Sequence, residues 1–295
     1  MRVDEVVERL WPGRDADVAP LGGGLTNHNF KVSVGGEAFV LRLAGANTAL
    51  LGIDRRHEHA SALCAAELQI GPEVVAFLEP DDCLVTRFVG GAPLPVDTIR
   101  EPETIARVAR ALRKLHDGPA VSGRFDPFRV VEAYRETILA RGGAVPDGYA
   151  DAYAVAKRIE STLGPRPEAH CHNDLLAANL IADESGRLWL VDWEYAGMGD
   201  PYFDLANLAV NNGLSEQAER ALLDAYGETD HARLTLMRYM SDFREAMWGA
   251  VQAAVSSLDV DFAAYAAEHF ARMQATAQTV RFREALEGVK GEARA

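Results

Sequence analysis

Residues 170–179 read HCHNDLLAAN, and residues 191–195 read VDWEY after a short hairpin pattern. Together these segments hold the densest polar cluster of the chain. Asp174 and Asn179 lie five positions apart on a loop that enters a strand, and the hairpin brings Asp192 back beside the asparagine. One carboxylate can then accept a hydroxyl proton, while an amide oxygen and a second carboxylate suit a hard cation such as Mg²⁺. This grouping is typical of phosphoryl transfer.

The sequence changes character near residue 90. Before it, residues 29–34 and 39–43 are two β-runs around Gly35-Gly36, and 74–78 with 83–89 predict a second hairpin. One helix is expected between them, at 54–68. After residue 90 helical patterns dominate, at 104–116, 128–141, 148–162, 201–210, 215–226, 230–256 and 260–287, with one β-hairpin at 180–191.

These patterns predict an α+β protein with two lobes. Residues 1–89 form a small N-lobe with an antiparallel sheet and a helix. Residues 90–295 form a larger helical C-lobe that carries both polar segments. The segment 90–95, Gly-Gly-Ala-Pro-Leu-Pro, reads as the linker between them. Ligand sites favour clefts of this kind.

Composition excludes several classes of protein. The chain has 295 residues and a formal net charge of −14, which argues against a nucleic-acid partner. No stretch reaches the roughly 18 apolar residues of a membrane span. Three widely spaced cysteines form neither a disulfide framework nor a CxxC pair, so a cytoplasmic location is expected. Neither GxGxxG nor GxxxxGK[ST] occurs, which excludes the Rossmann and P-loop nucleotide sites.

The polar segments resemble the catalytic and metal-binding loops of protein-kinase-like phosphotransferases. The pattern His172-x-Asp174-x4-Asn179 followed by Asp192 is similar to that of the aminoglycoside phosphotransferase and choline/ethanolamine kinase families. Other segments follow these families in order, namely 22–27, 39–42, 55–58, 192–195, 200–206 and 247–257. The last is similar to the final helices of choline kinases. The resemblance covers most of the chain and implies a protein-kinase-like two-lobe fold. In such a fold residues 1–89 would bind the nucleotide, and residues 90–295 would hold the catalytic loop, the metal site and the acceptor pocket.

The resemblance also implies the catalytic and nucleotide-binding residues. Asp174 would be the base, or would orient the acceptor hydroxyl, and Asn179 and Asp192 would hold Mg²⁺ with Glu194 in support. ATP would contact the glycine turn, a cation kept in place by a glutamate, and the inter-lobe strand; these residues are Gly23, Gly24, Thr26, Asn27, Arg42, Glu58, Thr86 and Phe88. Backbone N–H groups of a glycine-rich turn can approach phosphate oxygens closely. A guanidinium presents two donors to a phosphate.

The implied acceptor is the hydroxyl of a small, cationic molecule, choline or a related amino alcohol. Ring faces and carboxylates recognise a quaternary ammonium, which cannot donate hydrogen bonds. The candidate substrate-binding residues are Tyr195, Glu245, Trp248, Phe262 and Tyr265. Phe262 stands where eukaryotic choline kinases tend to carry Tyr, and Glu245 where they tend to carry a second Trp. These departures are compatible with choline and equally with ethanolamine.

Other interpretations remain open at this point. The acceptor could be an aminoglycoside, thiamine or a homoserine-type molecule, or the chain could be a catalytically silent, kinase-like binding module. Trp248 and Tyr265 could be plain core aromatics. His172 is expected to brace the catalytic loop and Asp204 to anchor it, whereas His116, beside Arg113 and Lys114, reads as a charge at a helix C-terminus. The sequence does not indicate an oligomeric state.

Overall fold

The computed structural model describes residues 2–22, 26–45 and 47–292, so the predicted sites at Gly23 and Gly24 lie outside the described residues. The N-terminal part has a short helix, α1 (Val3–Leu10), and a five-stranded antiparallel sheet. Its strands are β1 (Ala16–Leu21), β2 (Asn27–Val34), β3 (Glu37–Ala44), β4 (Val74–Leu78) and β5 (Cys83–Arg87). They lie in the order β1-β2-β3-β5-β4, which places β3 at the centre.

The sequence accounts for the β2–β3 hairpin and for the helix that follows it. Gly35 and Gly36 adopt φ values of 61° and 84°, which side chains rarely tolerate and glycine does. Helix α2 (Arg55–Glu67) follows a 3₁₀ turn (Thr48–Leu51) and is capped by Asp54, whose side chain accepts from two backbone N–H groups. The first turn of α2 therefore starts at a fixed place, and Arg55 and Glu58 lie on it.

The predicted linker at 90–95 is partly a strand. Residues Gly91–Pro93 form β6, which pairs with β8 (Leu180–Asp183), and β8 pairs in turn with β9 (Leu188–Leu190). A Cβ at Gly91 would lie 2.2 Å from the carbonyl oxygen of Ala182, so only glycine permits this pairing without a shift. We propose the division between the lobes at residue 90, because β6 already belongs to the sheet that carries the metal-loop hairpin.

The C-terminal part is helical. Its helices are α3 (Val96–Ile99), α4 (Pro102–His116), α5 (Pro127–Ala140), α6 (Tyr149–Leu163), α7 (Pro201–Asn211), α8 (Glu216–Tyr226), α9 (His231–Val255), α10 (Phe262–Gln278) and α11 (Val280–Glu292). Two short strands, β7 (Ala169–Cys171) and β10 (Gly197–Gly199), pair antiparallel beside the catalytic loop. Helix α9 packs against α5, α7, α10 and α11 and is buried over most of its length, so its polar residues face other protein groups.

The single helix predicted at 260–287 is wrong. Thr279 is extended, with φ −70° and ψ 149°, and separates α10 from α11. Its hydroxyl accepts from the backbone N–H of Phe282, so it caps the second helix. None of the helices in the described ranges combines the length and the apolar character that crossing a bilayer requires.

Candidate active site

Helix α7 anchors the loop that carries Asp174. The Asp204 carboxylate accepts from the backbone N–H of His172 at 2.8 Å and from that of Asn173 at 2.6 Å. One turn later, Asn207 Oδ1 accepts from the N–H of Leu175 at 2.6 Å. Three backbone donors of the loop, those of residues 172, 173 and 175, are therefore satisfied by one buried helix face, which fixes the loop without a regular ladder.

His116 supports Asp204 from the other side. Its Nε2 lies 2.9 Å from Asp204 Oδ2 and its Nδ1 lies 2.7 Å from the Tyr226 hydroxyl. The interpretation of His116 as a helix-terminal charge is thus wrong, because its ring is buried between two partners. Burial alone would raise the pKa of Asp204, but the hydrogen bond from His116 and the nearby His172 hold it below its usual value.

His172 and Asn173 join this loop to the metal loop. His172 Nε2 lies 3.0 Å from the carbonyl oxygen of Val191, and its ring packs on Trp193 with centroids 4.6 Å apart. Asn173 Nδ2 donates to the carbonyl oxygen of Tyr195 at 3.1 Å. Asn173 and Asp192 both have positive φ, 64° and 70°, a conformation that is uncommon outside glycine and recurs at functional sites.

Asp174 lies between the side chains of Asn179 and Arg244. Asn179 Nδ2 donates to Asp174 Oδ2 at 3.2 Å, and Arg244 Nη1 lies 3.5 Å from Oδ1. Burial raises the pKa of Asp174 to about 8; Arg244 opposes this increase, and Glu245 adds to it. Raising the pKa makes the Asp174 carboxylate a stronger base, as a group that takes a hydroxyl proton needs to be.

Arg42, on the central strand β3, forms an ion pair with one residue of each lobe. Its Nη1 lies 2.6 Å from Glu58 Oε1 on α2 and 2.6 Å from Asp192 Oδ1 after β9. Burial opposes the guanidinium charge, but the two carboxylates raise the pKa of Arg42 above its ordinary value. The cation that the sequence assigned to phosphate binding therefore lies directly beside a predicted metal ligand.

Glu194 faces the N-terminal lobe. Its Oε1 accepts from Thr26 Oγ1 at 2.8 Å, and its Oε2 accepts from Asn27 Nδ2 at 2.8 Å with Arg55 Nη1 at 3.4 Å. Burial raises the pKa of Glu194 to about 7, and the nearby Asp192 adds to this effect. Both carboxylate oxygens of Glu194 thus accept from N-lobe donors, and its metal-supporting role stays a prediction.

A cavity of about 410 Å³ opens between the lobes, and we call it the inter-lobe cleft. Apolar side chains of the sheet and of β8 form much of its wall, a lining that suits a planar base. Six residues predicted to bind nucleotide or metal line it: Arg42, Glu58, Thr86, Phe88, Asn179 and Asp192. Thr26 and Asn27 lie elsewhere, on a smaller cavity of about 170 Å³ beside Gln252 and Ser256.

The five predicted substrate-binding residues come together on the other side of Asp174. Trp248 Nε1 donates to the Tyr195 hydroxyl at 2.9 Å, and Tyr265 donates its hydroxyl proton to Glu245 Oε2 at 2.9 Å. The rings of Phe262 and Tyr265 meet Trp248 edge-on, with centroids 5.8 and 5.6 Å away.

Arg244 completes this group, and sequence reasoning missed it. Its side chain is 1% exposed, its Nη1 lies 2.6 Å from Glu245 Oε1, and its Cζ lies 4.3 Å from the centre of the Tyr195 ring. The six side chains form what we call the acceptor cluster: Tyr195, Arg244, Glu245, Trp248, Phe262 and Tyr265.

Comparison with known proteins identifies the family. The sequence model of the phosphotransferase enzyme family matches residues 17–240, about three quarters of the chain. The chain belongs to the phosphotransferase enzyme family. The matched range includes all the residues of the catalytic and metal loops, and it ends within α9, before Arg244.

Individual proteins are also similar to the chain over most of its length. Protein LicA of Haemophilus influenzae is 27% identical over 78% of the chain and 72% of its own length. Ethanolamine kinase 2 of Mus musculus is 26% identical over 79% and 68%. The crystal structure of a choline/ethanolamine kinase family protein from Mesorhizobium loti is 31% identical, with a TM-score of 0.82 and coverage of 98% and 99%. The phosphotransferase described here is thus a small-molecule kinase, similar to choline and ethanolamine kinases.

The sequence analysis also did not predict two further residues of the site in this phosphotransferase, Arg55 and Asn207. Arg55 binds Glu58 and Asn27, each at 2.6 Å, and so supports the partner of Arg42. Asn207 holds the catalytic loop and lies 3.4 Å from Glu245 Oε1. One signal was available for the missed Arg244: with Glu245 it forms a charged pair inside the otherwise apolar run of 243–251.

Proposed function

We propose that this kinase transfers the terminal phosphoryl group of ATP to the hydroxyl of a small amino alcohol of the choline/ethanolamine type, with Mg²⁺. The observation that carries the proposal is the meeting of Asp174, Asn179 and Asp192 at one edge of the inter-lobe cleft. Asn179 and Asp192 line the cleft, and Asn179 donates to Asp174. The hydrogen bond from Asn179 to Asp174 therefore connects a proposed metal ligand to the residue that would receive the hydroxyl proton.

Asp174 supports the acceptor step. A hydroxyl held against its carboxylate can donate its proton to Oδ1 or Oδ2 as the new P–O bond forms. Asn179 and Arg244 hold the two oxygens from opposite sides, so the carboxylate has a fixed direction. Positioning of this kind supplies much of the rate in phosphoryl transfer, where the protein has little covalent chemistry to perform.

The inter-lobe cleft supports the nucleotide step. Its volume lies in the range of small-molecule pockets, and Phe88 and Thr86 lie on the wall that joins the lobes. Arg42 is kept by Glu58 at the cleft, where its guanidinium can donate to phosphate oxygens. A net charge of −14 is no obstacle here, because local donors decide phosphate binding.

The donor set fits Mg²⁺. Asn179 and Asp192 offer an amide and a carboxylate oxygen on the cleft wall, which are hard ligands of the type that Mg²⁺ prefers together with phosphate oxygens. When bound, Mg²⁺ supplies charge neutralisation at the phosphate oxygens. Asp192 now pairs with Arg42, so the same carboxylate places the cation and the metal side by side.

The acceptor cluster supports a small amino alcohol. It combines aromatic rings with the carboxylate of Glu245, and the carboxylate of Asp174 lies beside it, 3.5 Å from Arg244. Aromatic rings and carboxylates are the groups that recognise amines. The related ethanolamine kinase and the choline/ethanolamine kinase family protein bear names of the same substrate class.

The test is ADP formation with ATP across choline, ethanolamine, thiamine, homoserine and an aminoglycoside, with Mg²⁺ and with excess chelator. We expect acceptor-dependent ADP with the amino alcohols, none with the chelator, and a phosphate monoester visible by ³¹P NMR. ATP and acceptor binding without any acceptor-dependent ADP would instead indicate a silent binding module. Turnover confined to thiamine, homoserine or the aminoglycoside would contradict the amino-alcohol assignment.

A further inference from the structure

We infer that Arg244 sets the acceptor class: its guanidinium occupies the place that a quaternary ammonium would need, so the enzyme prefers a primary amino alcohol to its trimethylated form. This inference rests on the proposed function, because it concerns the acceptor of that reaction. It assigns a specificity role to a residue that neither the sequence patterns nor the family match covers.

The first argument is the ring face of Tyr195. A cation within about 6 Å of a ring centroid occupies the cation–π position. Arg244 Cζ lies 4.3 Å from the Tyr195 centroid, and the Arg244 side chain is 1% exposed. The chain's own cation thus covers the Tyr195 face, while Trp248 meets its other aromatic neighbours edge-on and is itself buried.

The second argument is the carboxylate of Glu245. Its Oε1 accepts from Arg244 Nη1 at 2.6 Å and from Asn207 at 3.4 Å, and its Oε2 accepts from Tyr265 at 2.9 Å. A trimethylammonium head, which has no hydrogen to donate, gains from a carboxylate only through its charge. Arg244 already neutralises that charge at close range.

The third argument is repulsion. Arg244 is fully buried, so its charge is poorly screened and acts strongly on a second cation placed nearby. Each methyl group on the amine adds volume beside the guanidinium and removes one hydrogen-bond donor. A fixed repulsive group is a common way to reject one of two similar ligands.

A primary ammonium meets a different balance. It keeps three donors, and a carboxylate offers about four acceptor positions. Glu245 uses three of them, with Arg244, Asn207 and Tyr265, so about one position on its Oε2 stays open. Asp174 Oδ1 is 3.5 Å from Arg244, a contact too long to take its full accepting capacity. Short charge-assisted hydrogen bonds to these oxygens can offset the repulsion from Arg244.

The experiment compares ethanolamine, N-methylethanolamine, N,N-dimethylethanolamine and choline as acceptors for the full chain, with saturating ATP and Mg²⁺. We expect kcat/KM to fall along the series, with choline about tenfold or more below ethanolamine, which corresponds to about 1.4 kcal/mol. A choline value equal to or above that of ethanolamine overturns the inference.

Variants then assign the preference to Arg244. Arg244→Met removes the charge with a flexible apolar side chain, and we expect the choline/ethanolamine ratio of kcat/KM to rise about tenfold. Arg238→Met is the matched control, because Arg238 lies on the same helix and pairs with the buried Glu219 away from the cluster. An Arg244→Met ratio that equals the wild-type ratio overturns the inference.

Two further comparisons keep the result interpretable. Arg244→Met leaves Glu245 without its partner, so Arg244→Met/Glu245→Gln is made as the charge-balanced version and is expected to show the same rise in the ratio. If neither variant folds, the wild-type series still decides whether the enzyme prefers ethanolamine to choline, and a choline value equal to or above that of ethanolamine overturns the inference. Absence of acceptor-dependent ADP with every amine defeats the proposed function, whereas turnover with the reverse order of amines defeats only the inference.

Discussion

The nucleotide side and the acceptor side of this site use the same ion-pair chemistry for different ends. On each side one arginine bridges two carboxylates, Arg42 between Glu58 and Asp192, and Arg244 between Glu245 and Asp174. Arg42 lies on the wall of a cavity of about 410 Å³, whereas the Arg244 side chain is only 1% exposed. An arginine at an open cleft can turn to an incoming polyanion. An enclosed arginine such as Arg244 holds the neighbouring carboxylates in place and limits which acceptor molecules can bind beside it.

Asp174 is the point at which the two sides meet, and its removal tests the comparison most severely. Asp174→Asn keeps the size of the side chain and removes the proton acceptor, so we expect kcat to fall about 10²- to 10⁴-fold. Steady-state ADP production measures it, with Asp183→Asn at the end of β8 as the control. Full turnover by Asp174→Asn would show that the two sides do not meet at this residue.

Replacement of Arg42 tests whether nucleotide binding and acceptor binding can be changed separately. Arg42→Met removes a cation at the cleft, and we expect the KM for ATP to rise about 10- to 100-fold while the acceptor KM changes little. Arg56→Met is the control, since Arg56 is also an arginine of the N-lobe but is exposed on α2, where it pairs with Glu79 and does not line the cleft. Equal increases in both KM values would contradict the division into two sides.

Trp248 makes the reciprocal test. Trp248→Phe deletes the hydrogen bond to the Tyr195 hydroxyl and loosens the ring that Arg244 covers, so we expect the acceptor KM to rise about fivefold with an unchanged KM for ATP. Trp189→Phe is matched, because Trp189 also donates its indole N–H, to Asp183, but lies on the metal-loop hairpin. An acceptor KM that does not move would place Trp248 in the core rather than at the acceptor.

The smallest expected effect is on stability, and it concerns β7, the strand that leads into the catalytic loop. Burial lowers the pKa of His170 to about 4, so between pH 6.5 and 4 the unfolded chain binds a proton that the folded chain does not. The free energy of unfolding therefore decreases as the pH is lowered through this window. For this group the decrease is about 1 kcal/mol from pH 6.5 to pH 5.5. Urea unfolding at the two pH values should show this loss in wild type, a smaller one in His170→Phe, and the wild-type loss in the exposed His231→Phe. Identical losses in all three proteins would count against it.

Local spacing along the sequence predicts which residues of the catalytic and metal loops lie close together. Asp174, Asn179 and Asp192 are close in sequence and joined by one hairpin, so their spacing predicts their proximity. Arg42 and Glu58 also lie within one short segment of the N-lobe, on a central strand and the next helix. Local spacing is enough where the partners are neighbours along the chain.

Long-range partners explain the misses. His116 reads as a helix-end charge until Asp204, 88 positions away, provides a buried partner. Arg244 lies in the core beside Asp174, 70 positions earlier, and local spacing does not predict this contact. The strand at Gly91–Pro93 was hidden in the same way, since only pairing with β8 distinguishes it from a linker. Such contacts depend on tertiary packing, which single-chain patterns do not contain.

The attachment of the catalytic loop to α7 has a consequence for the order in which the protein is made. During synthesis the N-lobe strands leave the ribosome first and can pair with one another, because their partners all lie before residue 88. The loop with Asp174 emerges before Asp204, Asn207 and Arg244, which hold it in place. A nascent chain can therefore build its nucleotide sheet early, yet it stays without catalytic capacity until α9 has docked.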